Sequence, residues 1–225
     1  MSHLVMNNPS TRALLSGAKT KHVIPVYGAG WNPNDSDSVS LAPYTDKKIG
    51  LQAFFNINDL ELGAKSPLGG VGDVVWIKEP FYAKQEVWDQ HHTRQPIIYQ
   101  VDTNKHRELI DEGYLRLQAQ VMPKWASRMV LKLTKIDVVK LQDLDSDTVR
   151  ALGSYLNQCD CFSDTKNSSF MGFRFSQNWC AEHGDEFHAF WHNRFAKSEY
   201  AWDENPWVWL YDFELIKEQI ETAGE

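Results

Sequence analysis

The sequence predicts an α+β, mostly β domain built around a small mixed β-barrel. About five short runs with strand patterning are separated by helical segments, no βαβ rhythm joins them, and no glycine-rich phosphate loop precedes a helix. Long runs of two-fold alternation near the middle and the end of the chain supply the barrel's walls.

Asn8-Pro9-Ser10 ahead of Thr11–Ser16 reads as a short helix, with Ser10 as N-cap and Gly17 just past the last turn. Lys19 to Val26 then reads as a strand with polar residues at its start. From Gly28 to about Pro43 the composition turns to Gly, Asn, Asp, Ser and Pro, which is loop chemistry. Gly69-Gly70-Val71-Gly72-Asp73 is a turn delivering the strand Val74–Lys78, stopped by Pro80. Ile97 to Val101 is a further short strand, and Lys105 to Asp111 a helical turn ended by Gly113. Met129, Leu131 and Leu133 alternate with the mixed set Arg128, Val130, Lys132 and Thr134, but near Lys135 the phase slips to Ile136 and Val138, which predicts a bulge. Asp145-Ser146-Asp147 opens a helix with Val149, Leu152, Tyr155 and Leu156 at helical spacing. A second helix carries Phe187, Phe190, Trp191 and Phe195 on one face. In the last strand Trp207, Trp209, Tyr211, Phe213 and Leu215 share one side.

At 225 residues, with no segment of linker composition, the chain reads as one domain over 1–225, with insertion-rich segments at about 28–66 and 157–185. No window reaches the ~18 uninterrupted apolar residues of a membrane helix, and no secretory signal pattern opens the chain. A cytoplasmic location and no membrane partner are expected. The formal charge of −7 argues against indiscriminate binding along a nucleic-acid backbone, where Lys and Arg supply the affinity. Any such contact must be local and shape-specific.

Met122-Pro123-Lys124-Trp125-Ala126-Ser127-Arg128 and Trp202-Asp203-Glu204-Asn205-Pro206-Trp207-Val208-Trp209 place aromatic and turn-forming residues against the starts of strands. Indole brings a large apolar body with one N–H, so these runs mark a barrel heart or a ligand mouth. Trp207 and Trp209 alternate within a strand and are expected in the core. Trp125 and Trp202 precede their strands and are the better pocket candidates.

Several segments, in order, resemble the ASCH family of PUA-like barrels, and within it the prophage-encoded members described as phage morphogenetic or uncharacterised proteins. They are Arg12–Thr20, Gly72–Glu79, Ile98–Asp102, Met122–Arg128, Leu141-Gln142-Asp143-Leu144 and Asn205–Trp209. The resemblance implies a PUA-like barrel with flanking helices, a cleft beside the first helix and strand, and RNA or a modified nucleoside or nucleotide as partner. Some relatives resemble amidohydrolases that use a Lys, a Thr three residues on and a Glu from a later helix. Here Lys19 matches the lysine, but His22 and Leu152 stand at the other two positions.

The nucleotide-binding candidates are therefore Lys19, Lys21, His22, Lys78, Trp125, Arg128, Trp202 and Asn205. The expected cleft is bordered by Lys19, His22, Lys78, Glu79 and Arg128. The catalytic alternative is a nucleoside amidohydrolase or RNA-cleaving enzyme in which His22 is acid or base, Lys19 steadies negative charge and Glu79 is the carboxylate. A third alternative is an accessory protein without chemistry that binds a host protein through its aromatic surface. No cofactor is expected. Cys159, Cys161, Cys180, His183, His188 and His192 lack the usual zinc spacing, so no metal is expected, and free thiols fit an unexported chain.

Overall fold

The computed structural model describes residues 2–28, 30–36, 38–42, 50–58, 60–85, 88, 96–153, 169–170, 173–174 and 183–216. In chain order its elements are β1 (Ser2–Val5), α1 (Asn8–Leu15), β2 (Lys21–Pro25), β3 (Val39–Leu41), β4 (Gln52–Ile57), β5 (Leu60–Lys65), β6 (Val74–Lys78), β7 (Phe81–Lys84) and β8 (Ile97–Tyr99). There follow α2 (His106–Asp111), β9 (Tyr114–Leu117), β10 (Val130–Lys140), α3 (Ser146–Ala151), β11 (Ser169–Phe170), β12 (Phe173–Arg174), α4 (His183–Phe195) and β13 (Trp207–Ile216). Single 3-10 turns lie at Lys124–Ala126, Leu141–Asp143 and Trp202–Glu204.

The fold is mixed α+β and mostly strand. Its main sheet has the order β1-β6-β10-β13-β2, and β3-β4-β5 and β8-β7-β9 form two smaller sheets. The expected barrel does not close among the described residues, because β1 and β2 stand as opposite edges of the main sheet. The antiparallel pair β10 and β13 is its spine, and the register shifts between Leu133 and Lys135, where the sequence loses phase.

Both faces of this spine are covered, so alternation alone underestimates its burial. Trp207, Trp209, Tyr211 and Phe213 join Leu133, Ile136 and Val138 on one side. Val208 turns the other way and packs with Leu141, Val149, Leu152, Phe187 and Trp191 under α3 and α4. A third cluster of Phe81, Ala83, Trp88, Met122 and Ala126 lies with the β8-β7-β9 sheet.

Two expectations about local structure change. The N-cap of α1 is Asn7, whose Oδ1 accepts from the Ser10 amide at 3.0 Å, so Ser10 lies inside the helix. Asn is as good a cap as Ser, and its earlier position lets Pro9 sit in the first turn, where a missing N–H costs nothing. Gly17 ends the helix at φ 79°. The stretch from Gly28 to about Pro43, read as loop, also holds β3, which pairs with β4. From β4 and β5 beyond it, Ala53, Phe55 and Ala64 enter the main core. The Trp207 indole donates to the Ser36 carbonyl at 3.0 Å, and its ring meets Phe55 at 5.9 Å. Most of 157–185 lies outside the described residues, as do Cys159, Cys161 and Cys180.

Candidate functional site

The sequence candidates fall into three groups, and the first is held apart from the second because β10 and β13 lie between β6 and β2. Three strand spacings amount to roughly 14 Å across a sheet. Lys78, Glu79 and Arg128 therefore do not border one cleft with Lys19 and His22.

The first place is the junction between the end of β6 and the start of β10. Arg128 Nε and Nη2 donate to Glu79 Oε1 and Oε2 at 2.9 and 3.0 Å. Its Nη1 and Nη2 also donate to the Asp102 carboxylate at 2.5 and 3.2 Å. The guanidinium lies 3.8 Å from the Tyr99 ring centroid, and Tyr99 donates its hydroxyl proton to the Ala126 carbonyl. Glu79 is fully buried. Burial pushes its carboxyl up, and the hydrogen bonds from Arg128 pull it down. Fork-to-fork pairing of this kind occupies both partners and locks the chain crossing. Lys78 donates to the Gln120 carbonyl at 2.9 Å and lies over the Trp76 ring. Trp125 is half-buried against the Phe81–Trp88 cluster.

The second place is the start of β2. Lys19 is only 4% exposed, and its Nζ donates to the carbonyls of Lys21 at 2.9 Å and Leu152 at 2.6 Å. Burial of the ammonium lowers the Lys19 pKa to about 7. Gly153, at φ 74°, permits this approach: a Cβ there would stand 2.5 Å from Lys19 Cβ and 2.8 Å from its Cα. The Leu152 side chain belongs to the core under α3, so this position offers Lys19 a backbone carbonyl and no carboxylate. Thr20 is exposed, and its amide donates to the Ala151 carbonyl. His22 titrates well below its ordinary value, first because it is desolvated and then because Lys19 and Arg194 lie near, so its imidazole is neutral at neutral pH. Arg194 was not anticipated from the sequence. Lys21 pairs with Asp212 at 2.5 Å.

The third place is a pocket of about 330 Å³ lined by Leu141, Gln142, Leu144, Val149, Phe187, His188 and Trp202. Two turns build its rim. The turn Trp202–Glu204 ends at Asn205, which adopts the left-handed conformation (φ 42°, ψ 60°) that Asn tolerates better than most residues. Asn205 Oδ1 accepts from the Gln142 amide at 2.9 Å, the Gln142 side chain donates through Nε2 to the Trp202 carbonyl at 2.9 Å, and the Leu141 amide donates to the Pro206 carbonyl at 2.9 Å. Asp145 caps α3 by accepting from the Thr148 amide, which sets Val149 at the pocket floor. From α4, Phe187 and His188 meet Trp202 edge-on, with ring centroids 5.9 and 4.7 Å away.

Among the nucleotide-binding candidates, Trp202 is the one that lines this pocket, and the Asn205 amide donates to its carbonyl at 2.9 Å. Gln142, Leu144, Val149, Phe187 and His188 were missed as walls, although Leu141–Leu144 belongs to the ordered segments and Phe187 to the helical stripe. His188 and His192 have ring centroids 6.0 Å apart, and among the described residues no group of three or more His, Cys, Asp or Glu is placed to hold a metal ion. Among the described residues no helix is long and apolar enough to cross a membrane. Comparison with known proteins gives no match: no family model, no curated protein and no solved structure matches this chain.

Proposed function

We propose that this chain is an ASCH-type, PUA-like binding protein of phage or prophage origin, which holds one base of RNA, or a modified nucleoside, in the pocket beneath Trp202. The observation that carries the reading is the pocket's composition. An indole, a phenyl and an imidazole converge on a cavity of about 330 Å³, at the small end of the roughly 300–1,000 Å³ of ligand pockets. Flat rings bind aromatic walls without needing a basic surface, which suits a chain of charge −7.

The basic residues expected at a phosphate have partners inside the fold. Arg128 is held by Glu79 and Asp102, Lys21 by Asp212, and Lys19 by two carbonyls. The base pocket is thus the stronger centre for binding.

The reading is tested by titrating wild type and Trp202→Ala with short single-stranded RNAs and with free nucleosides. Loss of one stacking wall should weaken binding by about 1–3 kcal/mol. Equal affinity of the two proteins, or no binding by wild type, rejects the pocket.

A second reading, hydrolysis of an acylated nucleoside, is favoured by one observation: the Lys19 amine falls to about 7 beside a neutral His22. Such an amine can act as a base. Turnover of acylated nucleosides by wild type, abolished in Lys19→Met, would establish it.

A further inference from the structure

We infer that Gln142 selects the ligand of this pocket, and that the pocket prefers a neutral ring carrying an N–H donor on its edge, such as an exocyclic amine. The inference rests on the binding reading above and sharpens its substrate class.

Gln142 is fixed twice. Its amide N–H is held by Asn205 Oδ1 at 2.9 Å, and its side-chain Nε2 is held by the Trp202 carbonyl at 2.9 Å. A backbone carbonyl can only accept, so it dictates the side-chain amide orientation: Nε2 faces Trp202 and Oε1 faces away. Oε1 accepts no hydrogen bond from any described residue, while Gln142 itself lines the pocket. Gln142 thus lines the pocket with Nε2 already spent on Trp202 and Oε1 left as the acceptor a bound ring could meet.

The walls add no fixed charge. The described lining residues are Leu141, Gln142, Leu144, Val149, Phe187, His188 and Trp202, with neither Lys, Arg, Asp nor Glu among them. A phosphate or carboxylate placed here would set oxygen lone pairs against Oε1 with no Lys or Arg among the lining residues to offset them. A neutral heterocycle with an edge N–H satisfies Oε1 and covers the apolar rings at once. A ring of the same shape without that donor leaves Oε1 desolvated and unpaired, which is how a polar site rejects an analogue. Gln142 is exposed in the free protein, so the discrimination is that of one ordinary hydrogen bond, about 3- to 10-fold.

Two ligand pairs isolate this donor without adding bulk: adenosine against purine riboside, and cytidine against pyrimidin-2-one riboside. Each is titrated calorimetrically into the full chain, as wild type, Gln142→Met and Trp202→Ala. Wild type should favour the amine-bearing member of at least one pair by about 3- to 10-fold. Gln142→Met should bind both members of that pair with the lower affinity, and Trp202→Ala should lose both. No preference in wild type, or a preference that survives Gln142→Met, overturns the role of Gln142 while leaving the pocket intact. Failure of wild type to bind any of the four overturns the pocket reading itself.

Discussion

Arg128 reaches Glu79 through two parallel hydrogen bonds, 2.9 and 3.0 Å long, from an adjacent strand junction. Arg128 is thereby an internal clamp, with Asp102 as its outer partner and Tyr99 beneath it. Removing it leaves Glu79 buried without its cation, so its carboxyl must either stay unpaired or take up a proton. Arg128→Met should destabilise the fold by about 3–5 kcal/mol in urea unfolding, and Arg128→Lys should recover only part of that, because an ammonium cannot fork. Ligand affinity of folded Arg128→Lys should equal that of wild type. A large loss of affinity with intact stability would return Arg128 to the binding surface.

Lys19 makes a prediction about pH. The unfolded chain holds this proton up to its ordinary value of 10.5, whereas the fold releases it near 7, so between those values the unfolded state binds more protons and stability rises with pH. Below about pH 7 both states are protonated and the cost of the buried charge is constant. Relative to Lys19→Met, wild type should gain stability across that window with a slope approaching 1.4 kcal/mol per pH unit at most. A pH-independent difference between the two proteins would show that Lys19 is not desolvated.

Gly153 packs its backbone against Lys19. Gly153→Ala would combine a left-handed backbone (φ 74°) with a Cβ 2.5 Å from Lys19 Cβ, and both penalties act on the same residue. The conformational part costs about 1–2 kcal/mol, and overpacking adds about 1–3 kcal/mol. A melting temperature equal to that of wild type would refute the close approach.

Asn205 separates backbone geometry from hydrogen bonding at the pocket rim. Asn205→Gly keeps the left-handed φ of 42° and loses only the acceptor for the Gln142 amide. It should cost about 1 kcal/mol of stability and weaken ligand binding, because Gln142 loses one of its two anchors. Asn205→Ala should cost about 1–2 kcal/mol more from the strained φ. Identical stability of the two variants would argue that the turn relaxes.

Local features were legible in the sequence wherever one residue pattern has one physical meaning. The phase slip at Lys135 is the bulge between Leu133 and Lys135, Gly113 takes φ 81° at the end of α2, and Trp209 and Tyr211 are buried on the strand face their alternation assigns. Strand β7 was hidden because Pro80 reads as a stop, and β4–β5 because its turn uses Asn58 at φ 51° with no glycine signal. The candidate site was less legible for a physical reason. A sequence shows charges without their partners, and those of Arg128 lie at positions 79 and 102. The pocket is likewise non-local, since it joins residues 141–149, 187–188 and 202, which share no local pattern. Trp202 was found because a tryptophan ahead of a strand is a signal even without its neighbours.

The most direct test of the account is a map of backbone amide chemical shifts during titration with a short single-stranded RNA. A base held in the pocket should perturb Gln142, Leu144, Val149, Phe187, His188 and Trp202 most, the residues that line it with Leu141. Perturbations centred instead on Lys78, Glu79 and Arg128, or on Lys19 and His22, would contradict it.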